Sequence, residues 1–167
     1  SITGDIANAG SVVFNRSDNL AYGGVISGTG QVEQAGNGTL TLTGNNTYDG
    51  GTQVSDGTLR LTGAGTPGSG TVNIASQGTL LVDSPNGNAY TFNNRLEGDG
   101  QLQVAMGSET DTFDFASGAG SRFTGKMNFD KGSMTLGDAN TAALSQATLD
   151  LGENATVTMD GDRTIGN

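Results

Sequence analysis

Gly36-Asn37-Gly38-Thr39-Leu40-Thr41-Leu42-Thr43-Gly44-Asn45-Asn46-Thr47-Tyr48-Asp49-Gly50-Gly51-Thr52-Gln53-Val54-Ser55-Asp56-Gly57-Thr58-Leu59-Arg60-Leu61 contains one phrase twice. Gly38-Thr39-Leu40-Thr41-Leu42 returns as Gly57-Thr58-Leu59-Arg60-Leu61, and again as Gly78-Thr79-Leu80-Leu81-Val82. Gly38, Gly57 and Gly78 open the three copies at a nearly constant interval. A period of about 20 residues that joins a glycine turn to an alternating apolar strand is the mark of a solenoid, in which each turn buries its apolar stripe against its neighbours.

Short runs with the same alternation fill the rest of the chain. Ser11-Val12-Val13-Phe14, Thr71-Val72-Asn73-Ile74, Gln101-Leu102-Gln103-Val104, Thr112-Phe113-Asp114-Phe115 and Thr148-Leu149-Asp150-Leu151 are examples. Each is about the minimum length of a strand and is bounded by Gly, Asn or Asp, the residues of tight turns. Ala139–Gln146 could form one helical turn, with nothing to cap or extend it. The reading is all-β: a right-handed parallel β-helix of about eight turns at about 20 residues each. A β-sandwich would need longer strands and no repeat.

This fold assigns an inward file to Leu40, Leu59 and Leu80 and a second to Leu42, Leu61 and Val82. A longer repeat lies over the short one. Tyr22, Ile26, Gly28, Gly30, Gln31 and Val32 match Phe92, Leu96, Gly98, Gly100, Gln101 and Leu102 at an offset of 70. Tyr48, Gly50, Val54, Gly57, Leu59 and Leu61 match Phe123, Gly125, Phe129, Gly132, Met134 and Leu136 at an offset of 75. The reading is therefore a duplication spanning about residues 20–61 and 90–136, with Ala105–Thr110 inserted as a loop. Leu102, Val104, Met134 and Leu136 join the expected core. Gly28, Gly30, Gly50, Gly57, Gly98, Gly100, Gly125 and Gly132 are expected at the corners, where positive φ is tolerated.

Composition narrows the function. Of 167 residues, 29 are Gly and only 33% are apolar, which suits a narrow core filled by one stripe per turn. Net charge is −10, and the seven basic residues are scattered along the chain. Nucleic acid needs a clustered cationic footprint and anionic lipid a polybasic segment, so neither is an expected partner. No run approaches the 18 or so apolar residues of a membrane-spanning helix. The chain lacks a signal-peptide pattern and starts and stops in mid-pattern, so it reads as one β-helical segment, residues 1–167, cut from a longer protein.

Catalytic chemistry finds little to work with. His and Cys are absent, which removes the usual bases and thiol nucleophiles and leaves no Ser-His or Cys-His pair. The acidic pairs Glu97/Asp99, Asp111/Asp114 and Asp160/Asp162 read as solvated turn acids. Gly50-Gly51-Thr52-Gln53 departs from the calcium-binding nonapeptide of β-rolls. No catalytic, metal-binding or cofactor-binding residue is assigned, and no cofactor is expected.

The phrases Gly36–Thr52 and Val54–Leu61 resemble the strand repeat in passenger domains of Gram-negative type V autotransporters, which runs roughly G-T-L-T-L-x-G-x-N-T-Y-x-G-G-T-x-V-x-x-G-T-L. The likeness is close over Gly36–Leu61 and weaker over Gly24–Val32, and a degenerate copy covers Leu96–Leu136. It implies a β-helix exported through the outer membrane and displayed at the cell surface. Such passengers often serve adhesion, autoaggregation or biofilm formation. The implied partners are a second copy of the chain or a host or extracellular surface, with membrane attachment only through a C-terminal barrel outside this segment. A passive stalk or folding nucleus is the alternative role, and a polysaccharide-degrading enzyme the third.

Overall fold

The computed structural model describes residues 2–85, 88–116, 121–137 and 141–160. Nearly all of it is parallel β structure wound into a solenoid of about six turns. The first coil carries β1 (Ile6–Ala7), β2 (Ser11–Phe14) and β3 (Leu20–Tyr22). The second repeats it with β4 (Ile26–Ser27), β5 (Gln31–Gln34) and β6 (Thr39–Leu42). In β7 (Thr52–Gly63) and β8 (Val72–Pro85) two successive strands of a coil fuse around a bend. Then come β9 (Ala89–Phe92), β10 (Leu96–Gly98), β11 (Gln101–Ala105), β12 (Thr112–Phe115), β13 (Arg122–Phe123) and β14 (Lys126–Leu136). A single helical turn, α1 (Thr141–Leu144), precedes β15 (Thr148–Met159).

Every ladder among the described residues is parallel, and register explains the regularity. Ile6 pairs with Ile26, Val32 with Thr52 and Leu40 with Leu59, which is the interval of the glycine phrases. Later coils are longer, because Val72 pairs with Leu96 and Gln101 with Lys126. Eight turns is therefore an overcount. The short period holds only in the first half, and loops lengthen the coils of the second.

Alternation places the core. Leu20, Leu40, Leu59, Leu80, Leu102, Met127 and Leu149 form one continuous file through successive coils. Tyr22, Leu42, Leu61, Val82, Val104, Phe129 and Leu151 form the next. Leu42, Leu59, Leu61, Leu80, Val82, Leu102 and Val104 are completely buried. Each such side chain contributes roughly 1.5–3 kcal/mol relative to exposure.

Met134 and Leu136 are buried too, but on another face: their partners are Val157 and Met159, while Met127 and Phe129 continue the two leucine files. The offset of 70 is likewise not a stacking relationship. Val32 lies in the file of Thr52, Val72 and Leu96, whereas Leu102 lies over Leu80. Tyr22 pairs with Leu42, and Phe92 pairs with Phe115 on a different face. Every face of a β-helix has the same binary pattern, so a sequence match can slip by one face without any penalty in the alignment.

Candidate functional site

The outward positions of the strands form polar columns. Thr39, Thr58 and Thr79 stack in register, followed by Gln101 and Lys126. Beside them run Thr41, Arg60, Leu81, Gln103, Asn128 and Asp150. Charges on these faces are held locally by partners on the same or adjoining coils. The Arg60 guanidinium pairs with Asp83, Lys126 Nζ with Asp150 at 2.8 Å, and Arg95 with Glu97 at 2.7 Å. Arg16 pairs with Asp18 at 2.7 Å. The hydrogen bond from Lys126 holds the Asp150 carboxyl below the usual carboxylate range, and that from Arg16 does the same for Asp18. Both pairs are solvated, so they set side-chain geometry more than stability.

Corners are built from buried carboxamides, and the sequence reading missed them. Asn8, Asn46 and Asn94 are 4–7% exposed. Asn46 Oδ1 accepts the amide of Ile26 at 2.8 Å, while its Nδ2 donates to the Thr66 carbonyl at 2.9 Å. One side chain thereby joins three successive coils. Asn94 Nδ2 donates to the carbonyls of Gly68 and Gly70 at 3.0 and 2.7 Å, and Asn8 Nδ2 to that of Gln31 at 2.9 Å. At these corners the backbone leaves its ladder, and an unpaired buried amide or carbonyl would be costly. The signal was present in Asn45-Asn46-Thr47-Tyr48, but nothing in local spacing tells a solvated turn Asn from a buried one.

Tyr48 completes the third corner. It is fully buried, its hydroxyl lies 2.6 Å from Thr52 Oγ1, and that hydroxyl donates to the Pro67 carbonyl at 2.8 Å. Burial pushes the phenol up to about 12, while the hydrogen bond to Thr52 acts in the opposite direction.

Two physical reasons lie behind the corner glycines. Gly28, Gly57, Gly98 and Gly132 have φ of 104°, 60°, 99° and 123°. Gly30, Gly50, Gly100 and Gly125 have no positive φ, and a Cβ on any of them would run into the backbone of the preceding coil. In Gly98-Asp99-Gly100 both reasons occur side by side. The first glycine supplies the left-handed turn, and the second lets Ala75 and Gly78 of the coil before approach closely.

The acidic pairs do not converge. Glu97 is engaged by Arg95, and Asp99 is exposed in its turn. Asp111 closes the 106–111 turn by accepting hydrogen bonds from the Ser108 amide and hydroxyl at 2.8 and 2.6 Å. Asp114 projects from the outward side of β12, and its Oδ1 accepts the Phe115 amide at 2.8 Å. Asp160 is exposed, and Asp162 lies outside the described residues. Among the described residues, no three acidic side chains gather in metal-binding geometry.

The corner built by Asn46, Tyr48 and Thr52, with the two leucine files of β6 and β7, falls within residues 32–61, which match a family model described as Passenger-associated-transport-repeat. The chain carries an autotransporter passenger repeat. The chain is 36% identical over 137 residues to the uncharacterized lipoprotein YdeK of Escherichia coli (strain K12), covering 77% of the chain and 10% of that protein. It is 35% identical over 117 residues to the adhesin BmaC autotransporter of Brucella suis biovar 1 (strain 1330), covering 69% of the chain and 3% of that protein. The chain thus spans a tenth or less of the curated relatives it matches. No solved structure matches it.

Proposed function

We infer that this segment is a non-enzymatic part of a surface-displayed autotransporter passenger, and that its polar columns mediate adhesion, either to a second copy of itself or to an extracellular surface. The observation that carries the reading is the stacking of outward Thr39, Thr58 and Thr79 into a column on a rigid frame. Weak polar contacts repeated once per coil add up along such a column, so binding grows with the number of coils engaged and needs no hot spot. The passenger repeat and the relative named an adhesin support this reading. Export through the outer membrane follows from the same reading, and a relative named a lipoprotein fits a location in the cell envelope.

A scaffold role has its own supporting observation. Among the described residues β15 has a ladder partner on one side only, and Leu151 and Met159 are 50% and 43% exposed. A further coil laid on that strand would bury both.

The test is a settling and surface-binding assay on cells that display the parent protein with and without residues 2–160. Loss of clumping or attachment at equal surface density supports adhesion. Unchanged adhesion per displayed molecule, with reduced display or protease resistance, establishes the scaffold role instead.

A further inference from the structure

One side of the solenoid is interrupted. Among the described residues β9 forms a ladder with β12 only, and no backbone hydrogen bond links it to the 66–69 segment of the coil before. The coils differ in length. Thr52 pairs with Val72 and Val72 in turn with Leu96, so the later coil takes more chain to come round. The result is an open hollow of about 640 Å³ that crosses three coils, from Asn45–Thr47 over Thr66–Ser69 to Tyr90–Asn94. A second hollow of about 280 Å³ continues it across β12 to Ser133 and Thr135, and Tyr90 and Thr91 line both.

No charged side chain among the described residues lines the larger hollow. Its hydrogen-bonding capacity lies in side chains. Asn45, Thr47, Ser69 and Thr91 make no side-chain hydrogen bond to another described residue, and Asn93 uses only its Nδ2, on the Thr91 carbonyl. Much of the backbone of the floor, in contrast, is already engaged. The carbonyls of Thr66, Pro67, Gly68 and Gly70 accept side-chain hydrogen bonds, Ser69 donates its amide to the Tyr48 carbonyl, and Pro67 has no amide to offer. An extended peptide laid in the gap would therefore find a regular ladder partner on the β9 side and an incomplete one on the floor.

Tyr90 supplies the apolar element. Phe92, Phe113 and Phe115 on the same inward series are buried, but Tyr90 stays half-buried. Its ring is backed by Phe113, with centroids 6.0 Å apart and planes 14° apart, so it is held as a fixed platform. Its hydroxyl makes no hydrogen bond to a described residue, and burial pushes the phenol up to about 12, which keeps it a neutral donor at any physiological pH.

We propose that this groove binds a neutral, linear oligosaccharide, with Tyr90 stacking against one sugar ring and Asn45, Ser69, Thr91 and Asn93 hydrogen-bonding to hydroxyls. Uncharged carboxamides and hydroxyls around one aromatic face match the hydroxyl-rich rim and apolar C–H face of a pyranose. Acidic glycans are disfavoured by the absence of a basic residue among the described residues of the lining and by Asp114 in the adjoining hollow. No acid pair converges on the groove among its described residues, so it holds its ligand without cleaving it. The groove and the threonine column lie on different strands, so either reading can fail while the other stands.

The test is titration of the 15N-labelled 167-residue chain with cellohexaose, maltohexaose and chitohexaose, followed by amide and carboxamide shifts. A hyaluronan hexasaccharide and a capped extended hexapeptide serve as competitors of other chemistry. At least one neutral hexasaccharide is expected to shift Asn45, Tyr90 and Asn93 and to saturate in the range of about 1–10 mM. Tyr90→Ala should weaken it about tenfold and Tyr90→Phe far less. Asn93→Ala, an exposed change that leaves the core intact, should weaken it about threefold, and it decides the matter if Tyr90→Ala does not fold. The proposal is overturned if no neutral probe shifts these residues, if hyaluronan or the peptide binds at least as well, or if binding survives in the folded variants.

Discussion

Ile26 donates its backbone amide to Asn46 Oδ1 at 2.8 Å, a bond between residues twenty positions apart that closes one coil onto the next. Neither group has another way to be satisfied at that corner, because both are buried where the ladder is interrupted. The position that holds the coils together is thus a polar one.

Replacing that carboxamide tests the claim. Asn46→Ala leaves the Ile26 amide and the Thr66 carbonyl without side-chain partners, although Thr66 Oγ1 still reaches the Asn46 carbonyl. The expected loss is about 2–4 kcal/mol, at about 1–3 kcal/mol for each buried group left unpaired. Urea unfolding followed by circular dichroism measures it, and a loss below that of an exposed change such as Asn93→Ala would mean that water replaces the carboxamide.

Core truncation should be harsher than surface truncation at the neighbouring position. Leu59 is completely buried between Leu40 and Leu80, so Leu59→Ala should cost about 2–5 kcal/mol. Arg60 points outward to Asp83 and keeps part of its surface in water, so Arg60→Ala should cost about 0–1 kcal/mol. Equal midpoints for the two variants in a denaturant titration would contradict the inward assignment of the Leu40, Leu59, Leu80 file.

The two reasons for glycine can be separated by mutation. Gly63 has φ +61° and open space around its would-be Cβ, so Gly63→Ala isolates the cost of the left-handed backbone, about 1 kcal/mol. Gly98 has φ +99°, and a Cβ there would strike the Ile74 backbone. Gly98→Ala should therefore cost more than Gly63→Ala, with at least about 3 kcal/mol lost or no folded protein recovered. Thermal melts of the pair read the difference directly.

Alkaline pH should loosen the buried corner. In the native state burial pushes the Tyr48 phenol up to about 12, against about 10 in an unfolded chain. A raised pKa in an acid means that the folded state favours the protonated form. The associated stability is complete below about pH 10 and is lost as pH rises from about 10 to about 12. The two-unit difference corresponds to roughly 2–3 kcal/mol for this group. Stability measured across that window should fall less steeply in Tyr48→Phe than in the parent chain.

Some of this was legible in one dimension. The Gly-Thr-Leu phrases at a period near 20 were enough for parallel stacking and for the inward file of Leu40, Leu59 and Leu80, because alternation and period are properties of the chain alone. The same regularity put Met134 and Leu136 in the core, where they lie, but left open which face they join. When every strand repeats one binary pattern, a match of Leu59 to Met134 scores as well as the stacking equivalence of Leu59 with Met127.

Local pattern determined the coil, its inward residues and its turn-forming glycines, since these depend on neighbours within one strand or corner. Only the tertiary structure decided which face each strand of the second half joins, which Asn is buried, and where the wall opens beside Tyr90. Those depend on how much chain each coil takes to come round, and that length is set by the fit of one turn on another, not by any residue read alone.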